Sequence, residues 1–293
     1  MDNRDEAKAF LSSRRAKITP EQAGLAHYNR NRRVPGLRRS EVADLAGVSV
    51  EYYAQLERGG LAGVSDSVLD ALSRALYLNE AEREHLFDLA RAAGPARRSR
   101  HRRLASEVRP SVARVLEGMT EVPAFVQNGH LDVLAANALG QALYAPVFAD
   151  PSRPVNLARF NFLNPRARTF WGNWERAAAD TVAMLRTEAG RDPYNKALTD
   201  LIGELSARSD EFRVRWGAHD VQLHRTGVKH IRHPVAGELD LSYDVMDLTA
   251  DPSLTLVAFS AEAGSPTSDA LRILASWAAS HQPADAPAAP NQT

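Results

Sequence analysis

Gly47 interrupts an amphipathic helical pattern, and this break constrains the possible fold more than any other feature of the sequence. Before it, apolar residues repeat at helical spacing over residues 40–46, and after it Ser49 can cap a new helix over residues 50–58. A helix-turn-helix needs a tight break, an apolar anchor in the turn and a second helix with two distinct faces. Gly47 supplies the break and Val48 the anchor. The pattern therefore predicts two short helices packed across a glycine turn.

The second helix of this pair places polar side chains on one face. We expect the core to take four apolar side chains from the two helices: Val42, Leu45, Tyr53 and Leu56. The opposite face of the second helix then carries Glu51, Tyr52, Gln55 and Arg58. Glutamine can pair with adenine and glutamate can accept from cytosine, while Val50 or Ser49 could meet a thymine methyl group or a phosphate. Other amphipathic helix pairs with a glycine break share this pattern, so a purely structural role stays open at this point.

Two stretches of the chain resemble XRE-type (phage-repressor-like) helix-turn-helix domains of actinobacterial regulators: VPGLRRSEVADLAGVSVEYYAQLERG and VLDALSRALYLNEAEREHLFDLARAAG. The resemblance covers about residues 10–93 and implies binding to a double-stranded DNA operator. It implies base contacts from Ser49, Val50, Glu51, Tyr52 and Gln55. It also implies contacts to the DNA backbone or to base edges from Arg38 and Arg39, just before the first helix of the pair.

Charge is unevenly distributed along the chain, although the formal net charge is zero. The first 103 residues hold 19 Lys and Arg against 14 Asp and Glu, whereas the remaining residues hold 17 against 22. A basic first third indicates an anion-binding module joined to a more acidic segment. The chain has no cysteine, which excludes disulfides, thiol nucleophiles, iron–sulfur clusters and cysteine-rich zinc sites. It shows no secretion signal and no apolar run of about 18 residues, so we expect a soluble, cytoplasmic protein without membrane contact.

Composition and turn signals divide the chain into four segments. We predict a helix-turn-helix domain at residues 1–94, a basic linker at 95–106, a second domain at 107–281 and a disordered tail at 282–293. The linker is rich in arginine, so it is either a solvated connector or a source of further phosphate contacts. The tail is too poor in apolar residues to pack.

The second domain mixes helical and strand patterns. Short strands around an Asn-Gly turn are predicted over residues 124–134, and helices over 137–143, 166–189, 194–205 and 269–279. Further strands are predicted over 211–216, 221–226, 228–234, 238–246 and 254–260. The fold class that follows is multidomain, with an all-α N-terminal domain and an α+β C-terminal domain.

No residue set in the second domain is typical of catalysis. Four histidines lie close together in the sequence: His219, His224, His230 and His233. The strand pattern separates them and no acidic triad accompanies them, so we expect no metal site. The sequence has no nucleophile elbow and no phosphate-binding glycine loop, so we expect neither an enzyme nor a cofactor. Many aromatic residues indicate either an ordinary core or an apolar-ligand pocket: Phe125, Tyr144, Phe148, Phe160, Phe162, Phe170, Trp171, Trp174 and Trp216.

Three stretches of this domain resemble the ligand-binding domain of MmyB-like transcription regulators, which has a PAS-like fold: PAFVQNGHLDVLAANALGQALY, FRVRWGAHDVQLHRTGVKHIRHPVAGELDLSYD and AEAGSPTSDALRILASWA. The resemblance implies an antiparallel sheet wrapped by helices, a cavity for a small apolar, fatty-acid-like effector, and a homodimer. We predict that five residues line this cavity: Asn137, Trp174, Trp216, His219 and Asp220.

These patterns together predict a sequence-specific DNA-binding transcription regulator whose C-terminal domain senses a small apolar effector. A homodimer would read two half-sites about 10 bp apart. A second hypothesis gives the C-terminal domain a filled core that serves only for dimerisation or protein interaction. A third hypothesis, an enzyme that uses the helix-turn-helix for targeting, is disfavoured because the sequence shows no recognisable catalytic set.

Overall fold

The computed structural model of the protein describes residues 3–25, 36–94, 107–218 and 226–280. These residues form two compact units, each built from separate stretches of the chain. The first unit takes its residues from Met1–Leu104, Asn161–Asn164 and Glu175–His224. The second takes its residues from Ala105–Phe160, Pro165–Trp174 and Arg225–Thr293. No helix in the described ranges is long and apolar enough to cross a membrane.

The helices fall into two groups along the chain. Up to residue 93 they are α1 (Asn3–Lys17), α2 (Arg39–Ala46), α3 (Val50–Glu57), α4 (Asp66–Ala75) and α5 (Glu80–Ala93). Later in the chain they are α6 (Pro110–Gly118), α7 (Ala138–Leu143), α8 (Ala145–Phe148), α9 (Leu157–Leu163), α10 (Ala167–Phe170), α11 (Trp174–Arg191), α12 (Lys196–Arg208), α13 (Asp210–Gly217) and α14 (Pro266–Ser280). The first group lies in the first unit, together with α12, α13 and all of α11 from Glu175 onward.

Capping interactions explain the sharp turn between α2 and α3. Gly47 ends α2 at φ +66°, a left-handed conformation that glycine adopts without strain. The Ser49 hydroxyl then accepts a hydrogen bond from the backbone N–H of Tyr52 at 3.0 Å and begins α3. The predicted glycine turn between two short helices is therefore confirmed.

The core of the first unit forms between these helices. Val42, Tyr53 and Leu56 are fully buried in it, as the sequence predicts. Val48 is partly buried against the same core, which is the position expected of the anchor in the turn. These contacts fix the angle between α2 and α3, because each helix contributes side chains to the same apolar cluster.

Leu45 departs from the prediction that it joins this core. Its side chain is 39 % exposed, whereas Val42, Ala43 and Ala46 form the buried face of α2. At 3.6 residues per turn, Leu45 lies about 100° around the helix from the centre of that face. The position of the helix is predicted correctly, but the direction of its buried face is not.

The second unit is built on one antiparallel sheet. Its strands are β1 (Ala124–Asn128), β2 (Asp132–Ala136), β3 (Val155–Asn156), β4 (Thr226–His233), β5 (Gly237–Asp247) and β6 (Leu254–Ser260). They lie in the order β3-β2-β1-β6-β5-β4, and all neighbours pair antiparallel. A helical region with a helix-turn-helix thus precedes an α+β region, so the expected fold class is confirmed.

Polar side chains hold the turn between β1 and β2. The Asn128 side-chain oxygen accepts hydrogen bonds from the backbone N–H groups of His130 and Asp132, both at 3.0 Å. Leu131 between them has φ +65°, a conformation that is uncommon for a leucine and needs such support. Burial raises the pKa of Asp132, but hydrogen bonds from His130, Asn156 and Asn128 outweigh this effect and lower the pKa below its ordinary value. The carboxylate therefore stays ionised and keeps the turn closed.

The two faces of the sheet pack differently. On one face, Ala124 and Val126 of β1 join Leu116 of α6 in a small apolar cluster. On the other face lie Phe125 and its partner across the strand, Val257. This second face carries most of the aromatic side chains of the unit.

Helix α13 replaces a predicted strand at residues 211–216. The Ser209 hydroxyl accepts a hydrogen bond from the backbone N–H of Phe212 at 3.2 Å and caps the helix. Asp210 and Glu211 occupy its first turn, where acidic side chains favour the positive end of the helix dipole. The prediction of a strand here was wrong because it ignored this start signal.

The helix predicted over residues 166–189 is also broken, into α10 and α11. The backbone N–H of Gly172 donates to the carbonyl oxygen of His230 at 2.8 Å, and Trp171 forms an isolated bridge with Ile231. A β-carbon at Gly172 would lie 2.8 Å from the β-carbon of His230, so only glycine allows this approach. A contact with β4 therefore interrupts the helix. The predicted strand at 221–226 lies almost entirely outside the described residues.

Candidate DNA-binding surface and ligand-binding domain

The surface proposed to read DNA lies on α3 and the residue before it. We call it the recognition face: Ser49, Val50, Glu51, Tyr52, Gln55 and Arg58. Its side chains are exposed except that of Tyr52, which is half-buried against the core. An amide, a carboxylate, a guanidinium and the apolar side chain of Val50 therefore face outward from one short helix. These groups can make hydrogen bonds and apolar contacts with base edges in a major groove.

A buried carboxylate anchors the end of α3. The Glu57 side chain is 1 % exposed and accepts a hydrogen bond from the Arg15 Nε at 2.6 Å and another from the Arg39 Nε. The hydrogen bond to Glu57 raises the pKa of Arg39, so this guanidinium is held charged. Arg15 also donates to the carbonyl oxygen of Leu37 at 2.8 Å. One carboxylate thus ties α1, the start of α2 and the end of α3 together.

The two arginines predicted to contact DNA before α2 have different surroundings. Arg39 has a side chain that is 55 % exposed, so its outer N–H groups can reach a phosphate while Nε stays on Glu57. Arg38 is half-buried, and its backbone N–H donates to the Glu41 carboxylate at 2.6 Å. Of the two, Arg39 is the better placed for a backbone contact with DNA.

Aromatic side chains fill the space over one face of the sheet in the second unit. Tyr144 is fully surrounded, with ring centroids at 5.2 Å from Phe125, 5.6 Å from Phe259 and 5.8 Å from Phe170. Most of these pairs are edge-to-face, which is a favourable arrangement for aromatic rings. Burial raises the pKa of Tyr144 far above its ordinary value, so the phenol stays neutral. The predicted cluster is therefore confirmed for five residues: Phe125, Tyr144, Phe160, Phe170 and Trp171.

Both features, the helix-turn-helix and the aromatic-lined α+β unit, match known protein families. A family model for the MmyB-like transcription regulator ligand binding domain matches residues 108–274, and a model for a helix-turn-helix domain matches residues 14–86. The chain belongs to the MmyB-like transcription regulators. A comparison with curated proteins gave no match to it. The protein is accordingly a DNA-binding regulator with a ligand-binding domain, and both matched families are domains of transcription regulators.

Asn137, one of the predicted ligand contacts of this MmyB-like domain, has a structural function. Its side-chain oxygen accepts from the backbone N–H groups of Ala124 at 3.1 Å and Gly140 at 2.7 Å. Its side-chain nitrogen donates to the carbonyl oxygens of Met119 at 2.6 Å and Val122 at 2.7 Å. An amide has two acceptor and two donor positions, so none is left for an effector. Asn137 fixes the start of α7 against β1.

The other predicted lining residues belong to different compact units or lie outside the described residues. Trp174 belongs to the second unit, where the Arg168 guanidinium lies over its ring at 3.9 Å. Trp216 belongs to the first unit and stacks on Phe212 at 5.5 Å. His219 and Asp220 lie outside the described residues. Their part in ligand binding stays a prediction.

The histidines of β4 have protein partners. The His233 Nε2 donates to the Ala142 carbonyl oxygen at 3.0 Å, and its Nδ1 accepts from the backbone N–H groups of Val235 and Ala236. Burial lowers the pKa of His233 more than the hydrogen bond to Ala142 raises it, so the ring is neutral. His230 pairs with the exposed carboxylate of Asp240. Within the described parts of the chain, no group of three His, Asp or Glu side chains is placed to hold a metal ion.

Gln127 is a candidate ligand-binding residue that the sequence analysis did not predict. It is two residues after Phe125 in β1 and therefore lies on the aromatic face of the sheet. Its side chain is 7 % exposed, and its oxygen accepts no hydrogen bond from the protein. A buried amide oxygen without a donor is rare in proteins and marks a place where a ligand or water can bind. The signal in the sequence was a glutamine at the same alternation as Phe125 in a strand that begins with three apolar residues.

Proposed function

We propose that this MmyB-like regulator binds its operator as a homodimer through the recognition face and that a small apolar, fatty-acid-like effector controls this binding from the second unit. The observation that carries the proposal is the recognition face itself. Gln55 and Glu51 are exposed side by side on a helix whose start is capped by Ser49 and whose end is anchored by Glu57. A rigid helix that presents polar groups is suited to base recognition.

Operator selection tests the DNA-binding half of the proposal. Wild-type protein is used to select duplexes from a random-sequence library, and affinities are measured by fluorescence anisotropy at several salt concentrations. Gln55→Ala should cost about 1–3 kcal/mol on the selected duplex and relax specificity at one base position. Arg39→Ala should weaken binding to all duplexes alike and flatten the salt dependence. Gln141→Ala, the same change at an exposed residue of α7, is the matched control and should leave binding unchanged.

Dimerisation is tested by analytical ultracentrifugation of the complex with the selected duplex. Two protomers should bind one duplex whose half-sites are about 10 bp apart. A complex of one protomer with one duplex would exclude the dimeric arrangement.

Effector binding is tested by thermal unfolding in the presence of dodecanoic acid, dodecanol and short-chain controls. Binding at about 100 times the dissociation constant would stabilise the protein by about 2.7 kcal/mol. The alternative is a filled core that serves only for dimerisation or protein interaction. The edge-to-face packing of the aromatic rings is compatible with it, and it predicts no shift with any alkyl chain. The proposal assigns no catalytic role to the chain, since both matched families are regulator domains.

A further inference from the structure

Part of the sequence that matches the ligand-binding family folds with the DNA-binding helices. The family match covers residues 108–274 and so includes α11, α12 and α13. These helices nevertheless belong to the first compact unit, which also contains α1–α5, except that Trp174, the first residue of α11, belongs to the second. The contacts between α11 and the DNA-binding helices are therefore contacts inside one unit.

A buried ion pair joins α11 to α1. The Arg186 side chain is fully buried, and its guanidinium donates a hydrogen bond to the carboxylate of Glu6, which is 4 % exposed. The same guanidinium donates to the carbonyl oxygen of Trp216 and lies 4.1 Å over the Trp216 ring. A charge this deeply buried requires its partner, because an unpaired buried charge is strongly destabilising. Arg186 thus holds α11 and α13 against α1.

A close backbone approach joins α11 to α5. A β-carbon at Gly190 would lie 2.6 Å from two atoms of the His85 ring, which is fully buried and packs edge-on against Phe10 at 5.0 Å. The ring makes no hydrogen bond, and its Nε2 lies 3.8 Å from the Glu6 carboxylate, so the Gly190 contact and the Arg186–Glu6 pair adjoin each other. At the edge of this contact, Arg191 lies 3.6 Å from Glu84 and 3.5 Å from Asp88. Only glycine permits α11 to dock at this distance from α5.

Helix α1 connects this docking to the recognition face. Glu6, near the beginning of α1, pairs with Arg186 of α11. Arg15, near the end of α1, pairs with Glu57 at the end of α3. A displacement of α1 therefore acts on both pairs at once, which is the kind of contiguous packed network that can carry coupling between sites.

We propose that docking of α11 on α1 and α5 regulates DNA binding: the docked state, held by the Arg186–Glu6 pair and the Gly190–His85 contact, positions α1 and α3 for the operator. The inference rests on the proposed DNA-binding function and adds its regulation. Because coupling is reciprocal, operator binding must stabilise the docked state by the same factor that docking improves operator binding.

The first experiment measures this reciprocity in the wild-type protein and needs no effector. Hydrogen exchange of the full chain is followed with and without a duplex selected from a random-sequence library. Operator binding should slow exchange in residues 183–191 of α11 by about 5-fold or more, the lower end of usual coupling. A duplex that binds tightly without changing exchange in α11 overturns the inference and leaves the proposed function standing. If no duplex is selected at all, the proposed function fails and this inference fails with it.

The second experiment perturbs the docking contact. Gly190→Ala favours the helix itself but places a methyl group against the His85 ring, so it should weaken operator binding by about 5-fold or more. Gly203→Ala is the matched control, because it is also a helical glycine but has no atom within 4 Å of the added carbon. It should change affinity by less than about 2-fold. Equal effects of the two substitutions would overturn the inference.

A double-mutant cycle keeps the test independent of general destabilisation. In a His85→Ala background, Gly190→Ala should have no further effect on operator affinity, because the ring that the added methyl group meets is gone. If Gly190→Ala weakens binding equally in both backgrounds, its effect does not arise from the contact with His85, and the docking proposal is wrong.

Discussion

The buried Glu57 carboxylate pairs with both Arg15 and Arg39 in the DNA-binding unit. The substitution Glu57→Gln removes its charge and keeps its shape. Removing one partner of a buried ion pair costs about 3–5 kcal/mol, whereas an exposed pair contributes about 0–1 kcal/mol. Arg15 is 18 % exposed and so lies near the buried case, while Arg39 is 55 % exposed and lies near the exposed case. Arg15 keeps its hydrogen bond to the Leu37 carbonyl oxygen, which limits the loss. We therefore expect the free energy of unfolding to fall by about 3 kcal/mol.

Thermal and urea unfolding of the full chain, followed by circular dichroism, measure this change. A loss of about 3 kcal/mol corresponds to a decrease of about 6–12 °C in Tm for a unit of this size. Arg39→Gln serves as the comparison and should cost less than about 1 kcal/mol, because that side chain is largely hydrated. The reasoning is refuted if Arg39→Gln costs as much as Glu57→Gln, or if Glu57→Gln leaves Tm unchanged.

Three further predictions concern the second unit. Asn137→Ala removes four hydrogen bonds to backbone groups and should lower the free energy of unfolding by about 2–4 kcal/mol in urea titrations; a cost under about 1 kcal/mol would mean that water replaces the amide. The pKa of His233 is lower in the fold than its unfolded value of about 6.5, so its contribution to stability is present above that pH and is lost as the pH falls through the folded pKa. His233→Gln should therefore flatten the acid side of the stability profile. Gln127→Leu should leave the stability of the ligand-free protein unchanged or raise it by about 1 kcal/mol, because the amide oxygen it removes accepts no hydrogen bond; a clear loss of stability would show that this amide has a partner in solution.

Local signals in the sequence were sufficient for the DNA-binding helices. Gly47 and Ser49 end one helix and begin the next through interactions within a few residues, so the bounds of α3 follow directly from the pattern. The strand β6 is likewise found where its apolar run predicts it. The pattern could not predict how α2 is rotated about its axis, because the buried face of a short helix depends on its neighbours. In the structure this rotation leaves Leu45 exposed.

Long-range contacts decided the remaining features. The break between α10 and α11 arises from the approach of Gly172 to His230, which lies far along the chain. The burial of Arg186 depends on Glu6 in the same way. Patterns of neighbouring residues do not predict contacts between positions far apart in the sequence, and neither of these contacts could be predicted. The predicted ligand-binding residues rest on the family resemblance alone. Asn137 then proved to have all its hydrogen bonds within the protein.

The distribution of the first unit over distant parts of the chain has a consequence for biosynthesis. Helix α3 ends at residue 57, but α11, which covers Glu6 and His85, begins only at residue 174. At a synthesis rate of about 5–20 residues per second, the recognition helix leaves the ribosome on the order of ten seconds before the helix that completes its unit. During this interval the Glu6 carboxylate and the His85 ring, both buried in the complete protein, lack the helix that covers them. A chain cut after residue 94 would stay in that unfinished state, and so it would be a poor substitute for the intact regulator in DNA-binding assays.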